Sequence, residues 1–260
     1  MGPMRVSVIQ LDPDYALPID ERRAQAAALV RAQAGADLVV LPELWPQGGW
    51  LYDRWDAECE PLDGPTVAAM AEAARAIGAY VHAGSVLERA ADGTHYNTSA
   101  LLGPDGSLLA SYRKIHLFGF DEGEPMLLGA GDEVVVAATA IGRIGLATCY
   151  DLRFPEMFRA LVDRGAELVL VPAAWPEARV AHWTLLAQAR AVENQYAVVA
   201  CNTAGSQGGK AMGGRSIVVG PTGDVLGEAG EAAEVLTADV DLAEVARWRE
   251  AFPVLANRRL

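Results

Sequence analysis

The chain alternates short apolar runs, rich in β-branched residues, with longer alanine-rich segments of helical periodicity. The short runs predict strands and the longer segments predict helices. The predicted strands are residues 4–11, 37–41, 79–87, 97–102, 107–112, 133–138, 143–148, 167–171, 196–201, 215–219 and 234–239. The predicted helices are residues 20–33, with Asp20 as N-cap, 65–77, 155–164, 177–193 and 242–251. This alternation, with a few hairpins, predicts an α/β protein built on mixed sheets.

Two segments of the first half have counterparts in the second half. The sequence GADLVVLPELWP at 35–46 resembles GAELVLVPAAWP at 165–176, and SALLGPDG at 99–106 resembles SIVVGPTG at 216–223. Two matches in the same order predict two related halves, each a sheet covered by helices and both packed into one sandwich. The alternative is that both are common strand–turn sequences with no shared origin.

Composition and charge narrow the class of protein. Hydrophobic residues make up 52% and charged residues 21% of the 260 residues, which is typical of a globular protein with a large core. The net charge of −13, without a basic stripe, argues against nucleic acid or an anionic membrane as the main partner. No apolar run is long enough to span a membrane, and no secretory signal is visible. Three widely spaced cysteines form neither a disulfide framework nor a metal-binding pattern, so we expect a cytoplasmic protein.

Cys149 is the cysteine whose context favours reactivity. It ends a predicted strand and precedes a helix that begins near Pro155, so its thiol can face a ligand. A positive helix end and a cationic neighbour would lower the pKa of that thiol. The alternative, a small buried hydrophobe, suits Cys201 inside an apolar strand. Cys59 lies between acidic residues, which predicts an unreactive thiol.

Glu43 and Lys114 are unusual choices at their positions. Glu43 follows a predicted strand, whereas the second half carries Ala173 at the matching place. Ligand sites of α/β proteins gather at such strand ends. Lysine occurs only at Lys114 and Lys210 in a chain that otherwise uses arginine, and an ammonium is a compact point charge unlike a guanidinium. The alternative for Lys114 is a stray surface lysine, which suits Lys210.

Several ordered segments resemble those of one enzyme family. Pro42-Glu43, the sequence RKIHL at 113–117 and CYDLRFPE at 149–156 are similar to the three signature segments of the nitrilase superfamily of carbon–nitrogen hydrolases. The sequences AWP at 174–176 and ARAVEN at 189–194 resemble later family segments. The resemblance covers essentially the whole chain, in the same order and with similar spacing.

The resemblance implies both a fold and a chemistry. It implies one domain over residues 1–260, a four-layer α-β-β-α sandwich of two mixed β-sheets with pseudo-duplicated halves. It implies a Glu-Lys-Cys triad at Glu43, Lys114 and Cys149, homodimers or higher assemblies, and no metal or organic cofactor. A second glutamate that positions the substrate and the lysine falls on Glu124 or, as an alternative, Glu122. Either of these two could instead be a solvated loop charge.

The residue types predict cleavage of a small amide to the acid and ammonia. Glu43 takes the thiol proton, Cys149 attacks the amide carbon, and Lys114 with the backbone N–H of Tyr150 stabilises the oxyanion. A thioester forms and water releases the acid. No histidine is needed, although a Cys–His pair using His116 or His182 is the rival chemistry.

The substrate is predicted less sharply. The segment at 149–156 most resembles the omega-amidase and Nit-type amidase branch, which acts on carboxylate-bearing amides. Arg153 suits a substrate carboxylate, or it forms a structural salt bridge to Asp151 or Glu156. Trp175 either walls the pocket or packs in the core or a dimer interface. The competing functions are a nitrilase or an N-carbamoyl hydrolase with the same triad, and a catalytically silent binding protein.

Overall fold

The structure, a computed structural model, describes residues 2–259. Its strands are β1 (Met4–Gln10), β2 (Leu38–Val40), β3 (Tyr80–Arg89), β4 (His95–Leu102), β5 (Leu108–Arg113), β6 (Val135–Thr139), β7 (Gly142–Leu146), β8 (Leu168–Pro172), β9 (Ala197–Cys201), β10 (Ser206–Gln207), β11 (Lys210–Ala211), β12 (Ile217–Val219), β13 (Val225–Glu228) and β14 (Glu234–Val240). Its helices are α1 (Ile19–Arg31), α2 (Trp55–Glu58), α3 (Pro65–Ile77), α4 (Glu124–Leu127), α5 (Pro155–Asp163), α6 (Val180–Asn194) and α7 (Ala243–Ala251).

Two six-stranded mixed sheets have matching strand orders and directions. The first sheet runs β14-β1-β2-β3-β4-β5, and β1, β2 and β3 are parallel to one another. The second runs β6-β7-β8-β9-β12-β13, and β7, β8 and β9 are parallel. The repeated segments of the sequence fall on β2 and β8 and on β4 and β12, which occupy equivalent places. The predicted duplication is confirmed in the topology.

Alternate residues of the inner strands face opposite sides of each sheet, as the period of a strand requires. Val6 and Val8 of β1 belong to the core between the sheets, together with Leu146 and Leu170 of the second sheet. Ile9 instead packs with the buried residues of α1 and α3. Helices α5 and α6 cover the second sheet in the same way. Because each fully buried aliphatic side chain contributes about 1.5–3 kcal/mol, these layers hold the predicted four-layer α-β-β-α sandwich together.

The N-cap prediction for α1 is wrong. The helix begins at Ile19 after Pro18, and no side chain caps it. Asp20 lies inside the first turn, where its carboxylate pairs with Arg23 at 2.5 Å rather than with backbone N–H groups. An acid in the first turn still interacts favourably with the positive end of the helix.

Other boundaries shift where local turns intervene. The helix predicted from residue 177 begins at Val180, because residues Glu177–Arg179 form a separate 3₁₀ turn. Strand β13 was not predicted, since its residues are largely exposed and carry no clear apolar alternation. Among residues 2–259, no helix is both long and apolar enough to cross a membrane.

A bulge in β3 fixes the chain on both sides of Glu43. Gly84, at the bulge, has a φ of +70°, and a Cβ there would lie 1.9 Å from the carbonyl oxygen of Pro42. The N–H of Ser85 donates to that same carbonyl at 3.3 Å, and Ser85 Oγ accepts from the N–H of Leu44 at 3.0 Å. Only glycine permits this close approach, which fixes the direction of the Glu43 side chain.

We expect Gly84→Ala to destabilise the protein far more than Gly78→Ala. Gly78 also has a positive φ, +65°, but no heavy atom lies within 4 Å of its added Cβ. The control therefore carries only the left-handed backbone cost, about 1–2 kcal/mol. Gly84→Ala adds a backbone clash and should cost at least about 2 kcal/mol more in urea unfolding. Equal losses in the two variants would show that the approach to Pro42 is not tight.

Candidate active site

Three distant segments of the chain converge at one point of the sandwich. Glu43 follows β2, Cys149 follows β7, and Lys114 follows β5. The three side chains are buried and line one small cavity of about 20 Å³. The carboxyl ends of parallel strands are where ligand sites of such sheets form. The structure thus brings together the three residues that the sequence motifs singled out.

The ammonium of Lys114 lies between two carboxylates. Its Nζ donates to Glu43 Oε1 at 2.8 Å and to Glu124 Oε2 at 2.7 Å, and the residue is only 2% exposed. Burial alone lowers the pKa of Lys114, but the carboxylates of Glu124 and Glu43 outweigh it and raise that pKa well above its usual value. Lys114 is therefore charged at neutral pH.

Glu124, not Glu122, is the glutamate that lies beside the lysine. It is the first residue of α4, and its Oε2 also accepts the N–H of Phe118 at 2.6 Å. Burial raises the pKa of the Glu124 carboxyl against the lowering effect of Lys114, and Glu43 raises it further. Glu122 is exposed and lines a larger outer cavity.

Asn97, on β4, connects the two carboxylates and was not predicted. Its Nδ2 donates to Glu43 Oε1 and to Glu124 Oε1, both at 2.8 Å, and its backbone carbonyl accepts the N–H of Lys114 at 2.8 Å. In the sequence Asn97 stands beside threonine and serine, so it has the pattern of an ordinary polar strand face. Its complete burial is the signal of function, and burial is visible only in the structure.

The second half of the chain supplies the remaining partners of Glu43. The N–H of Ala174 donates to Glu43 Oε2 at 2.8 Å, and the carbonyl of Ala173 accepts the N–H of Glu43 at 3.4 Å. These two alanines occupy the strand end that matches Glu43 in the duplicated topology. Each carboxylate oxygen of Glu43 is therefore hydrogen-bonded.

Cys149 occupies an unusual backbone position. Its φ is +47°, in the left-handed region that non-glycine residues seldom adopt, and it begins the 3₁₀ turn Cys149–Arg153. Strained residues of this kind cluster at functional sites. The chain thus turns sharply at the thiol, which is 9% exposed and lines the small cavity.

The predicted lowering of the thiol pKa is wrong. Burial of Cys149, and next the nearby carboxylate of Glu43, raise its pKa well above the ordinary value, and the charge of Lys114 does not offset them. The short 3₁₀ turn and one ammonium do not compensate for two buried carboxylates. The thiol is therefore protonated at neutral pH and needs a base when it reacts.

Asp151 joins the cysteine turn to the segment that carries Lys114. Its Oδ2 accepts from Tyr112 Oη at 2.7 Å and from the N–H of Thr148 at 2.8 Å. Its Oδ1 accepts the N–H of His116 at 3.0 Å and lies 2.7 Å from the ring Nδ1 of that histidine. Asp151 is fully buried, so these bonds hold the two segments in register.

The histidines near the motifs have structural partners. His116 stacks on Phe154 with ring centroids 3.7 Å apart, and His182 Nδ1 lies 3.4 Å from Arg153 Nη2. Within the described part of the chain, no histidine is hydrogen-bonded to the sulfur of Cys149. The geometry favours Glu43 over a Cys–His pair.

Tyr150 and Trp175 lie beside the cavity rather than in its wall. The Tyr150 ring packs edge-on against Phe118, which does line the cavity, with centroids 5.2 Å apart. Trp175 is almost fully buried and packs against Trp183. Its indole N–H donates to the carbonyl of Arg179 at 2.8 Å.

Arg153 carries an unbalanced charge next to the site. Its guanidinium lies 4.6 Å from the ring centroid of Trp175. The predicted alternative, a salt bridge to Asp151 or Glu156, is not formed: among the described residues, Arg153 takes part in no ion pair within 4 Å.

A larger cavity of about 880 Å³ lies outside the small one. Trp50, Tyr52 and Phe118 line both cavities and form the neck between them. Arg179 and Lys210 line the outer cavity, with their charged ends 5.5 Å from the Phe118 ring and 5.0 Å from the Trp50 ring. The outer cavity gives the buried triad its opening.

The other two cysteines lie away from this point. Cys201 is buried and its Sγ faces backbone carbonyls, as expected of a structural cysteine. Cys59 was expected among acids, but Arg89 donates to its Sγ at 2.8 Å. Among residues 2–259, one group of three or more His, Cys, Asp or Glu side chains has all its potential metal-ligating atoms within 4.8 Å of one another: Asp56, Cys59 and His95. The guanidinium beside the sulfur disfavours a second cation there.

We expect Asp151→Asn to lower the free energy of unfolding by about 2–4 kcal/mol, because a buried acceptor of several hydrogen bonds becomes partly a donor. Urea unfolding measures the change. Asp105→Asn is the matched control in an exposed turn with Ser107, and it should cost about 0.5 kcal/mol or less. A loss no larger than that of the control would show that Asp151 does not hold the two segments.

Comparison with known proteins places this chain in a family. The model of the carbon-nitrogen hydrolase family matches residues 5–250. The chain is 42% identical to the 2-oxoglutaramate amidase of Paenarthrobacter nicotinovorans, over 99% of this chain and 90% of that one. It is 35% identical to the omega-amidase NIT2 of Homo sapiens, over 100% of this chain and 96% of that one.

A solved structure shows the same fold with a modified cysteine. It is a variant of the amidase of Nesterenkonia sp. AN1, in which the acetamide moiety of fluoroacetamide is covalently added at the active site cysteine. The TM-score is 0.79 and the identity is 29%, over 98% of this chain and 97% of that one. The matched family model, the relatives and the fold agree with the resemblance in the sequence motifs. The protein belongs to the carbon-nitrogen hydrolase family, the nitrilase superfamily.

Proposed function

We propose that the protein hydrolyses small aliphatic amides that carry a carboxylate, giving the acid and ammonia through a thioester at Cys149. The observation that carries this proposal is the shared cavity of Cys149 with the buried charges of Glu43, Lys114 and Glu124. These are a nucleophile, a base within reach and a fixed cation, which together perform acyl transfer.

In the first step Glu43 takes the proton of the Cys149 thiol while the sulfur attacks the amide carbon. The new bond is carbon–sulfur, and the carbonyl electron pair moves to oxygen. The Lys114 ammonium and the backbone N–H of Tyr150 receive that oxyanion. Removing one such preorganised donor costs roughly 2.7–4 kcal/mol in known enzymes. Because the pKa of Cys149 is raised, proton transfer accompanies attack.

In the second step Glu43 returns its proton to the nitrogen. The carbon–nitrogen bond breaks, ammonia leaves and a thioester remains. Glu43 then takes a proton from water, whose oxygen attacks the thioester carbon, and the carbon–sulfur bond breaks as the thiol is restored. Lys114 keeps its proton throughout, because Glu124 and Glu43 raise its pKa. Glu124 and Asn97 act as positioning residues for that lysine.

The carboxylate-bearing substrate class rests on two supports. Arg153 has no acidic partner in the described structure and lies beside the site. The relatives named above include a 2-oxoglutaramate amidase, whose substrate by its name combines a terminal amide with a carboxylate. Tyr150, Arg153 and Trp175 are accordingly proposed as the residues around the substrate.

We also propose a homodimer or higher assembly that works in the cytoplasm. Leu185 and Val192 are exposed on the same face of α6, two turns apart, and an unpartnered apolar face supports association. The three cysteines are free, which suits a reducing compartment. Light scattering of the purified protein reports the assembly.

The test of the function is mass spectrometry of protein quenched during turnover. We expect an acyl adduct on the peptide that contains Cys149 with glutaramate or succinamate, and ammonia release in the same sample. Cys149→Ala should show neither while remaining folded by circular dichroism. Consumption of nitriles or carbamoyl amino acids with amides untouched would replace the proposed reaction by one of the competing ones. If none of these compounds were hydrolysed, the catalytically silent binding protein would be the interpretation that remains.

The Glu43→Gln variant tests two roles of Glu43: that of the base in turnover, and that of the carboxylate that raises the pKa of the Cys149 thiol. We expect turnover to fall by about 10²–10⁴ because the base is lost. The pH midpoint for iodoacetamide alkylation of Cys149 should move downward, since the carboxylate that raises the thiol pKa is gone. Glu122→Gln, an exposed glutamate in the same region, is the control and should change neither value. A midpoint that moves upward, or turnover near wild type, would contradict the role of Glu43.

A further inference from the structure

Two guanidiniums near the site lack acidic partners. In the part of the chain that the structure describes, neither Arg153 nor Arg179 forms an ion pair with a carboxylate within 4 Å. Burial lowers the pKa of Arg153, and the next largest contribution is repulsion from Arg179. Both positively charged residues also contact the same side chain, that of Trp175. Such a pair is unfavourable by itself and is relieved by an anion placed between them.

Trp175 holds both arginines in place. Its ring carries the guanidinium of Arg153 at 4.6 Å, and its indole N–H donates to the carbonyl of Arg179 at 2.8 Å. The backbone of Trp175 is itself fixed by Asn202, whose Oδ1 accepts its N–H at 2.7 Å. The buried side chain of Trp175 thus contacts the guanidinium of Arg153 with its ring and the backbone carbonyl of Arg179 with its indole N–H.

Arg179 stands where the inner cavity opens. It lines the outer cavity, and its guanidinium lies 5.5 Å from the ring of Phe118, which lines both cavities. Arg153 follows Cys149 in the same 3₁₀ turn. A substrate whose amide carbon meets Cys149 would extend its far end toward these two arginines.

We propose that Arg179 is a specificity-determining residue, which with Arg153 forms a two-guanidinium receptor for the distal carboxylate of the substrate. This inference rests on the proposed function and adds Arg179 to the residues that would recognise the substrate carboxylate. Each guanidinium can donate two parallel hydrogen bonds to a carboxylate, so two of them satisfy both oxygens. Neutral amides of the same length gain nothing from this receptor.

The acidic residues of the outer cavity do not neutralise the receptor. Asp121, Glu122 and Glu177 line the same opening but are exposed, and solvent and salt screen exposed charges. Lys210 also lines the outer cavity, but its ammonium lies over the ring of Trp50, whereas the guanidinium of Arg179 lies near the ring of Phe118. It provides a matched control, since neutralising it removes one positive charge from the same cavity without touching the arginine pair.

The test compares glutaramate with pentanamide, in which a methyl group replaces the carboxylate. Arg179→Gln should lower kcat/KM for glutaramate by about 10- to 100-fold, mainly through KM, the effect expected for losing one charged hydrogen-bond partner. The same variant should change kcat/KM for pentanamide less than about threefold. Arg153→Gln should have a similar selectivity effect, and the double variant should lose less than the product of the two single losses.

Lys210→Gln should change kcat/KM by no more than about threefold for either substrate. If Lys210→Gln and Arg179→Gln lowered kcat/KM for glutaramate equally, the proposal would be overturned, because the positive charge of the cavity as a whole would then attract the substrate. Equal loss of both amides in Arg179→Gln would also overturn it, because the arginine would then act on the fold or the reaction centre.

A binding measurement separates this inference from the proposed reaction. Glutarate should bind to Cys149→Ala protein, as followed by calorimetry, and the added Arg179→Gln change should weaken Kd by at least about 10-fold. If wild-type protein hydrolyses neither amide while glutarate binding still depends on Arg179, the reaction is wrong and the receptor stands. If glutarate binds equally with and without Arg179, the receptor is wrong whatever the reaction.

Discussion

The ammonium of Lys114, held between two buried carboxylates, is the constraint to which the rest of the site conforms. Removing charges from water costs several kcal/mol for each ion unless partners compensate. Here Asn97 donates to both glutamates, and backbone N–H groups of Phe118 and Ala174 complete the set. Glu124 and Glu43 keep the lysine protonated, while burial and the nearby Glu43 carboxylate keep the thiol neutral.

The amino-acid sequence predicted the parts of the molecule that have a strong local pattern. The strands and helices follow apolar periodicity, and the duplication appears as repeated strand–turn segments on β2, β8, β4 and β12. Glu43, Lys114 and Cys149 were predicted because each is an unusual residue at its position and because three motifs occur in family order. The choice of Glu124 over Glu122 needed the structure, since both lie in one short polar segment.

Other features depend on partners far away in the chain and leave no local trace. Asn97 is an ordinary strand residue until its burial beside two glutamates is seen. Asp151 lies in a recognised motif, yet its bonds to Tyr112 and His116 require the tertiary fold. The pKa of Cys149 was predicted in the wrong direction because burial and Glu43 outweigh the effects of the turn and Lys114. A sum of opposing electrostatic contributions cannot be read from neighbouring residues.

The contacts of Glu43 with Ala173 and Ala174 show that the two duplicated halves contribute different groups to the site. Equivalent strand ends face each other across the sandwich: one presents an acid, and the other presents only the backbone groups that hold it. Each half by itself would therefore lack part of the site: the first half carries Glu43 without the Ala174 N–H that binds its Oε2, and the second half carries that N–H without the carboxylate. Catalytic competence in this architecture therefore belongs to the joined pair of halves.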